Sequence, residues 1–258
     1  MRMEANYHTH TTRCNHAQGT ERDYIEQAIS RGLKTLGFSD HSPQVYDNYV
    51  SGFRMRPDQL EEYVETLLTL REEYAGRIEL LIGLEAEYYP RYFSRLEQLI
   101  HPFAMDYLIL GQHFIGNESD GMPPATRPTE DESLLERYVK QTVEGLETGR
   151  FSCLAHPDVF NYTGDPKIYR KWYEKLCLRA KELEIPLEMN MLGYATDRHY
   201  PNPRFFEIAR DVGNDVILGC DAHEPGRVAD PAEIERCERF LHDCGINRIV
   251  KRIRLIKP

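Results

Sequence analysis

Two histidines one residue apart, His8 and His10, stand near the start of the chain in Tyr7-His8-Thr9-His10. On an extended strand, residues two apart point to the same side, so both imidazoles could grip one metal ion. His-x-His alone is a weak signal, because paired surface histidines often arise by chance. A repetition along the chain changes its weight. Apolar runs with the character of strands end, one after another, in residues that ligate metals. Thr35 to Asp40 closes on Asp40 and His41, Glu79 to Gly83 on Glu85, and Tyr107 to Gly111 on His113. Phe151 to Ala155 closes on His156, and Asp215 to Gly219 on Asp221 and His223. With His16 from the first loop, nine candidate ligands result: His8, His10, His16, His41, Glu85, His113, His156, Asp221 and His223. Imidazoles and carboxylates without thiolates suit zinc, iron or manganese, and a carboxylate can bridge two ions where a histidine cannot. One ion takes about four ligands, so this set implies two or three divalent ions.

Residues so far apart in sequence need a scaffold that gathers them. Between the apolar runs lie helical patterns. Thr20 reads as the N-cap of a helix to about Arg31 that ends at Gly32, and Pro57 opens a helix whose apolar stripe includes Leu60, Val64, Leu67, Leu68 and Tyr74. Further helices are expected over 91–100, 130–148, 166–184, 203–212 and 231–244. Strands are expected at 35–39, 78–83, 107–111, 151–155, 186–191 and 215–219, after a first one from Met1. Asp40 and His41 begin the loop leaving the second strand. The tail 248–256 alternates basic and apolar residues like a short terminal strand. Seven strands alternating with seven helices predict parallel βα units. In a closed βα barrel the loops after the strands converge over one mouth, which would bring all the candidate ligands together. An open doubly wound sheet would not collect seven strand ends in one pocket. The segments 42–56 and 116–128, rich in Tyr, Ser, Gly and Pro, are expected as loops over that mouth, the second as a lid or substrate loop.

Composition narrows the function classes. At 258 residues, with 29% charged and 41% hydrophobic residues, the chain suits one large globular domain, 1–258. No apolar run approaches the roughly 20 residues needed to span a bilayer, and the polar start Met1-Arg2-Met3-Glu4 lacks a secretory core, so a cytoplasmic protein with no membrane partner is expected. The six cysteines, Cys14 among them, form no Cys-x-x-Cys pair and read as reduced, buried thiols. A net charge of −10 argues against a long nucleic acid as partner. It leaves room for a small anionic substrate drawn to bound cations. Oligomeric state is not legible.

The series His8-Thr9-His10, Asp40-His41, Glu85, Gln112-His113, Ala155-His156-Pro157 and Asp221-Ala222-His223 resembles the motifs of the polymerase and histidinol phosphatase (PHP) superfamily, from the first strand to the last. The resemblance implies an α/β fold, a distorted (β/α)7 barrel of TIM-like form, with up to three metals at the C-terminal ends of the strands. It implies that His8, His10, Glu85 and Asp221 hold the first, that Glu85, His113 and His156 hold the second, and that His16, His41 and His223 hold the third. The chemistry that follows is phosphate ester hydrolysis by a metal-bridging hydroxide. Asp40, His41, His223 and Arg198 are the expected catalytic group, with Asp40 orienting or accepting a proton from a histidine and Arg198 clamping phosphate. Arg54 and Arg127 are weaker phosphate candidates. His101, His199, His242 and Trp172 read as surface or packing residues.

The substrate the resemblance implies is L-histidinol phosphate, a small phosphorylated metabolite. The chain carries Gly193-Tyr194-Ala195 where that branch tends to show Gly-Leu-Arg, and its arginine comes only at Arg198. The alternatives are a phosphoesterase or exonuclease for nucleotides or another small ester and, from a different class, a non-catalytic metal-binding or interaction module.

Overall fold

A computed structural model describes residues 3–258; the start of the expected first strand, Met1 and Arg2, lies outside them. Seven strands form one sheet in chain order: β1 (Ala5–Asn6), β2 (Thr35–His41), β3 (Glu79–Ala86), β4 (Tyr107–Leu110), β5 (Cys153–Leu154), β6 (Leu187–Asn190) and β7 (Val216–Gly219). Every neighbouring pair is parallel. The ring closes just past the ends of β1 and β7. Thr9 bridges Ala222 there in parallel, the His10 N–H donating to the Ala222 carbonyl at 2.9 Å and the Ala222 N–H to that of His8 at 3.3 Å. The expected distorted barrel of seven parallel strands is therefore present.

Around it lie α1 (Glu21–Arg31), α2 (Leu60–Glu73), α3 (Phe93–Ile100), α4 (Glu132–Glu147), α5 (Pro166–Glu182), α6 (Met191–Ala195), α7 (Pro203–Val212) and α8 (Pro231–Asp243). Local chemistry sets their ends. Thr20 caps α1 in a reciprocal box with Asp23, and Gly32 closes it in the left-handed conformation. Pro57 opens a 3-10 turn before α2. α6 is the element absent from the sequence reading. It is one turn started by the Asn190 side chain, which accepts from the Gly193 N–H, and is too short to show a helical period.

The strands sort their side chains by parity. Leu36, Phe38, Leu80, Ile82, Leu84, Leu108, Leu110, Met189 and Leu218 face the helices in the larger core, whereas Tyr7, Leu81, Tyr107, Ile109, Cys153 and Ile217 form a second cluster inside the barrel. Tyr107 fills the middle, donating its hydroxyl to the carbonyls of Tyr7 and Phe38. The tail is not a strand. It makes one bridge, Ile249 to Val216, and then buries Ile253 in the inner cluster, so it plugs the end of the barrel away from the ligand residues. No helix among the described residues is long and apolar enough to cross a membrane.

Candidate metal centre

Parity inside the barrel continues from packing residues to chemistry. On β3, Leu81 faces inward, and two-residue steps beyond it lead to Glu85 and Glu87; on β4 the same steps lead from Ile109 to Gly111 and His113. β2 does not end at Ser39 as the sequence suggested. It runs on to His41, paired with Glu85, so Asp40 and His41 are held by the sheet rather than by a loop. Along the first strand the parity breaks: Tyr7 is an inner packing residue, yet His8 and His10 also enter the site. The Asn6 amide takes up the irregularity, donating to the His8 carbonyl and to Thr9 Oγ1.

Glu85 is the centre of the arrangement. Its Oε1 lies 2.7 Å from His156 Nε2 and 3.6 Å from His113 Nε2; its Oε2 lies 2.9 Å from His41 Nδ1, 3.5 Å from His8 Nε2 and 3.6 Å from His10 Nε2. Asp221 Oδ1 stands 3.1 Å from His10 Nε2, 3.4 Å from His8 Nε2 and 3.4 Å from His223 Nδ1. Donor atoms within 4.8 Å of one another form the groups His8–His10–Glu85, His41–Glu85–His113 and His16–His41–His223. The expected nine residues thus meet on one rim, with His41 shared between two groups. Gly111 makes room for the central carboxylate, because a Cβ there would fall 1.9 Å from Glu85 Oε1. His156 (φ 26°) and Asp221 (φ 49°) are non-glycine residues at positive φ, and such strain tends to persist where surrounding structure imposes it at functional sites.

Three carboxylates stand behind the imidazoles. Asp40, wholly buried, lies 3.5 Å from His10 Nδ1 and accepts from the N–H and hydroxyl of Thr11. It does not line the cavity. Glu188 on β6, which the sequence reading passed over, accepts from His8 Nδ1 at 2.7 Å and from the His156 N–H at 3.0 Å. Its signal was a charged residue inside an otherwise apolar strand. Glu87 accepts from His113 Nδ1 at 2.9 Å. A carboxylate on Nδ1 fixes the tautomer, leaving the Nε2 lone pair of His8 and His113 toward the centre.

The electrostatics are those of a cation cage. Burial would raise the Glu85 carboxyl, but His41, His113, His8 and His156 hold it well below its ordinary range. Asp221 is held low in the same way by His8 and His10. Burial, against the pull of Glu85 and with help from the neighbouring imidazoles of His10 and His113, pushes His41 down to about 3. Five buried polar atoms here lack a hydrogen-bond partner: Glu85 Oε2, His10 Nδ1, His41 Nδ1, His156 Nδ1 and His223 Nε2. Buried polar atoms are normally paired, so five orphans that all belong to candidate ligands fit a site for divalent ions.

Other singled-out residues divide. Arg198 lines the cavity of about 640 Å³ above the cluster, with His41, His223, Phe53 and Tyr200, and donates to the Tyr200 hydroxyl. Arg127 is exposed and does not line it. Arg54 is corrected: it is buried among Glu87 and Glu118, neither a surface charge nor a phosphate clamp. His199 bonds the Val159 carbonyl, and Trp172 is buried on α5. All six cysteines are free and buried, as expected. The Cys14 sulfur lies within 4.8 Å of donor atoms of His10 and His223. Burial would raise its thiol, but His10, His16 and His223 around it hold it down at about 4.

The profile of the PHP domain matches residues 6–192. The chain is 30% identical over 265 residues to a probable histidinol-phosphatase of Deinococcus radiodurans, the match spanning 97% of each chain. It is 27% identical to the histidinol-phosphatase of Bacillus subtilis, with 89% of this chain and 98% of that one covered. Among solved structures, a histidinol phosphate phosphatase of Lactococcus lactis complexed with zinc, L-histidinol and phosphate superposes with a TM-score of 0.74 at 19% identity, covering 98% of this chain and 99% of that one. At that identity the likeness is one of fold.

Proposed function

We propose a function that proceeds from one premise: this chain belongs to the PHP domain family. It is a metal-dependent phosphomonoesterase that converts L-histidinol phosphate and water to L-histidinol and phosphate, the activity named for relatives that it matches over nearly their whole length. The observation that carries this reading is the convergence of His8, His10, Glu85, His113, His156, Asp221 and His223 on one rim, with donor atoms left unpaired. A decayed, non-catalytic barrel would have no reason to keep such a costly set of buried polar groups.

His8, His10, Glu85 and Asp221 would hold one divalent ion, Glu85, His113 and His156 a second, and His16, His41 and His223 a third, with zinc, iron and manganese all suited to the donors. Bound there, such ions make water acidic enough to attack and neutralise phosphoryl charge. The chain's own residues do the rest. Asp40, Glu188 and Glu87 hold the rings of His10, His8 and His113 from behind. Arg198 on the cavity wall supplies a fork for phosphate oxygens, and Phe53 and Tyr200 give the organic part an aromatic wall. His41 and His223 border the cavity, with His16 and His113, where they would face the phosphoryl group. In this reading residues 1–258 act as one catalytic domain of a cytoplasmic enzyme.

Metal-loaded protein assayed on a panel of monoesters tests the proposal. Turnover of L-histidinol phosphate far above p-nitrophenyl phosphate and nucleotides supports it. Equal or faster hydrolysis of nucleotides would assign the other phosphoesterase reading, and no hydrolysis of any ester would leave a metal-binding module.

A further inference from the structure

Arg54 is buried in the loops above the site with its guanidinium fully engaged. Its guanidinium reaches Glu87 with two prongs, Nη1 to Oε2 at 2.7 Å and Nη2 to Oε1 at 2.9 Å. It reaches Glu118 Oε2 with two more, from Nε at 2.9 Å and Nη2 at 2.7 Å. Glu118 also accepts from the hydroxyls of Tyr46 and Tyr49. Two segments that the sequence presents as independent loops, 42–56 and 116–128, are therefore tied by one cation. Removing a guanidinium and two carboxylates from water is costly, and well-packed apolar groups often serve stability as well or better. Such a network calls for a reason beyond stability.

Both ends of it lead to the site. Glu87 is the carboxylate on His113 Nδ1, 2.9 Å away, and His113 Nε2 faces Glu85. The other side of the guanidinium lies over the Phe53 ring, 4.4 Å from its centroid. Phe53 lines the cavity and meets the His41 ring edge to face at 5.4 Å. It also stacks on Phe114, its centroid 5.9 Å away.

We infer that Arg54 is a positioning residue that assembles the metal-facing imidazole of His113 and the Phe53 wall of the substrate cavity as one unit, with Glu118 as the latch between the two loops. Through Glu87 it sets the tautomer and direction of His113; through Glu118 and its stacking it fixes Phe53 over His41. Metal binding and substrate fit are then coupled through a residue that touches neither. The inference rests on the reading that the site holds divalent ions and takes a phosphate ester.

The test uses the full chain with Glu118→Gln and Arg54→Lys. Glu118→Gln keeps the volume and loosens the latch without leaving Glu87 unpaired; Arg54→Lys keeps the charge and loses the fork. Zinc affinity is measured by chelator competition, and KM and kcat for L-histidinol phosphate at saturating zinc. Losing a carboxylate that holds a ligating imidazole costs about 10- to 100-fold in metal affinity; Arg54 acts on His113 through Glu87, so Arg54→Lys is expected near the lower figure, about 10-fold, and Glu118→Gln, one bond further out, a few-fold. Both should raise KM more than they lower kcat. Lowered melting temperatures with unchanged zinc affinity and KM in the folded proteins would make Arg54 merely structural and overturn the inference. If Arg54→Lys does not fold, Glu118→Gln decides alone. A parent protein that binds zinc but hydrolyses no ester would sink the phosphatase reading, while the zinc affinities of the variants still judge Arg54.

Discussion

Replacing Glu188 with glutamine separates a positioning role from simple packing, because the two side chains have nearly the same shape. In the native site the carboxylate receives three donors: Oε1 takes His8 Nδ1 at 2.7 Å, and Oε2 takes the His156 N–H at 3.0 Å and Asn190 Nδ2 at 2.9 Å. Glutamine offers one oxygen and one NH2. If its oxygen serves His8, the NH2 opposes two donors, and leaving such groups unmet costs about 1–3 kcal/mol each. If the NH2 faces His8, the ring must give up its Nδ1 proton and carry it on Nε2, which removes the lone pair aimed at the cluster. Neither orientation preserves the site. Losing the carboxylate that holds a ligating imidazole lowers metal affinity about 10- to 100-fold, or about 1.4–2.8 kcal/mol. In metal-free protein one unmet donor corresponds to a fall of about 2–12 °C in melting temperature for a chain of this size. Chelator-competition titration with zinc, beside thermal melts of apo protein, measures both. A Glu188→Gln variant that binds zinc as tightly as the parent and melts at the same temperature would refute the claim that this carboxylate sets the His8 tautomer.

Gly111→Ala should abolish activity and weaken metal binding, since the new Cβ would fall 1.9 Å from Glu85 Oε1, whereas Gly52→Ala, with nothing within 4 Å, should fold normally; metal analysis and melts of the two compare them. Arg198→Ala is expected to raise KM for the phosphate ester about 10- to 100-fold, the worth of a charge-assisted bond, with zinc content unchanged; unaltered KM would remove Arg198 from phosphate binding. Burial, partly offset by bonds from the Asn202 and Asp158 N–H groups, raises the Asp158 carboxyl from its usual range to about 7. An acid whose folded pKa is raised holds its proton more tightly in the native state, so its contribution is full below pH about 4 and is lost as pH rises to 7. Asp158→Asn should therefore gain melting temperature relative to the parent between pH 5 and 7 and level off above; a constant difference over that range would contradict the assignment.

Much of this site was legible because its signal is local and repeated. Every strand but β6 ends within a few residues of a candidate ligand, so residue type and position alone mark His8, Glu85, His156 and Asp221. Parallel βα alternation then forces strand ends to one side, and closure turns that side into a single mouth. The N-cap at Thr20 and the start of the turn that leads into α2 at Pro57 were readable for the same reason, since helix starts are decided within one turn. What sequence could not supply is which buried carboxylate faces which ring. Glu188 meets His8 across 180 positions of chain, and Arg54 meets Glu118 across 64, pairings made by packing and not by spacing. An arginine in a polar loop looks the same in sequence whether it is solvated or buried between two glutamates, and a cysteine in an apolar stretch looks the same whether or not three imidazoles surround it. The sequence marked the candidate ligands and the barrel that gathers them; only the tertiary structure decided which carboxylate meets which ring, which loops Arg54 ties and which side chains wall the cavity, because those depend on contacts between strands and loops that share no local pattern.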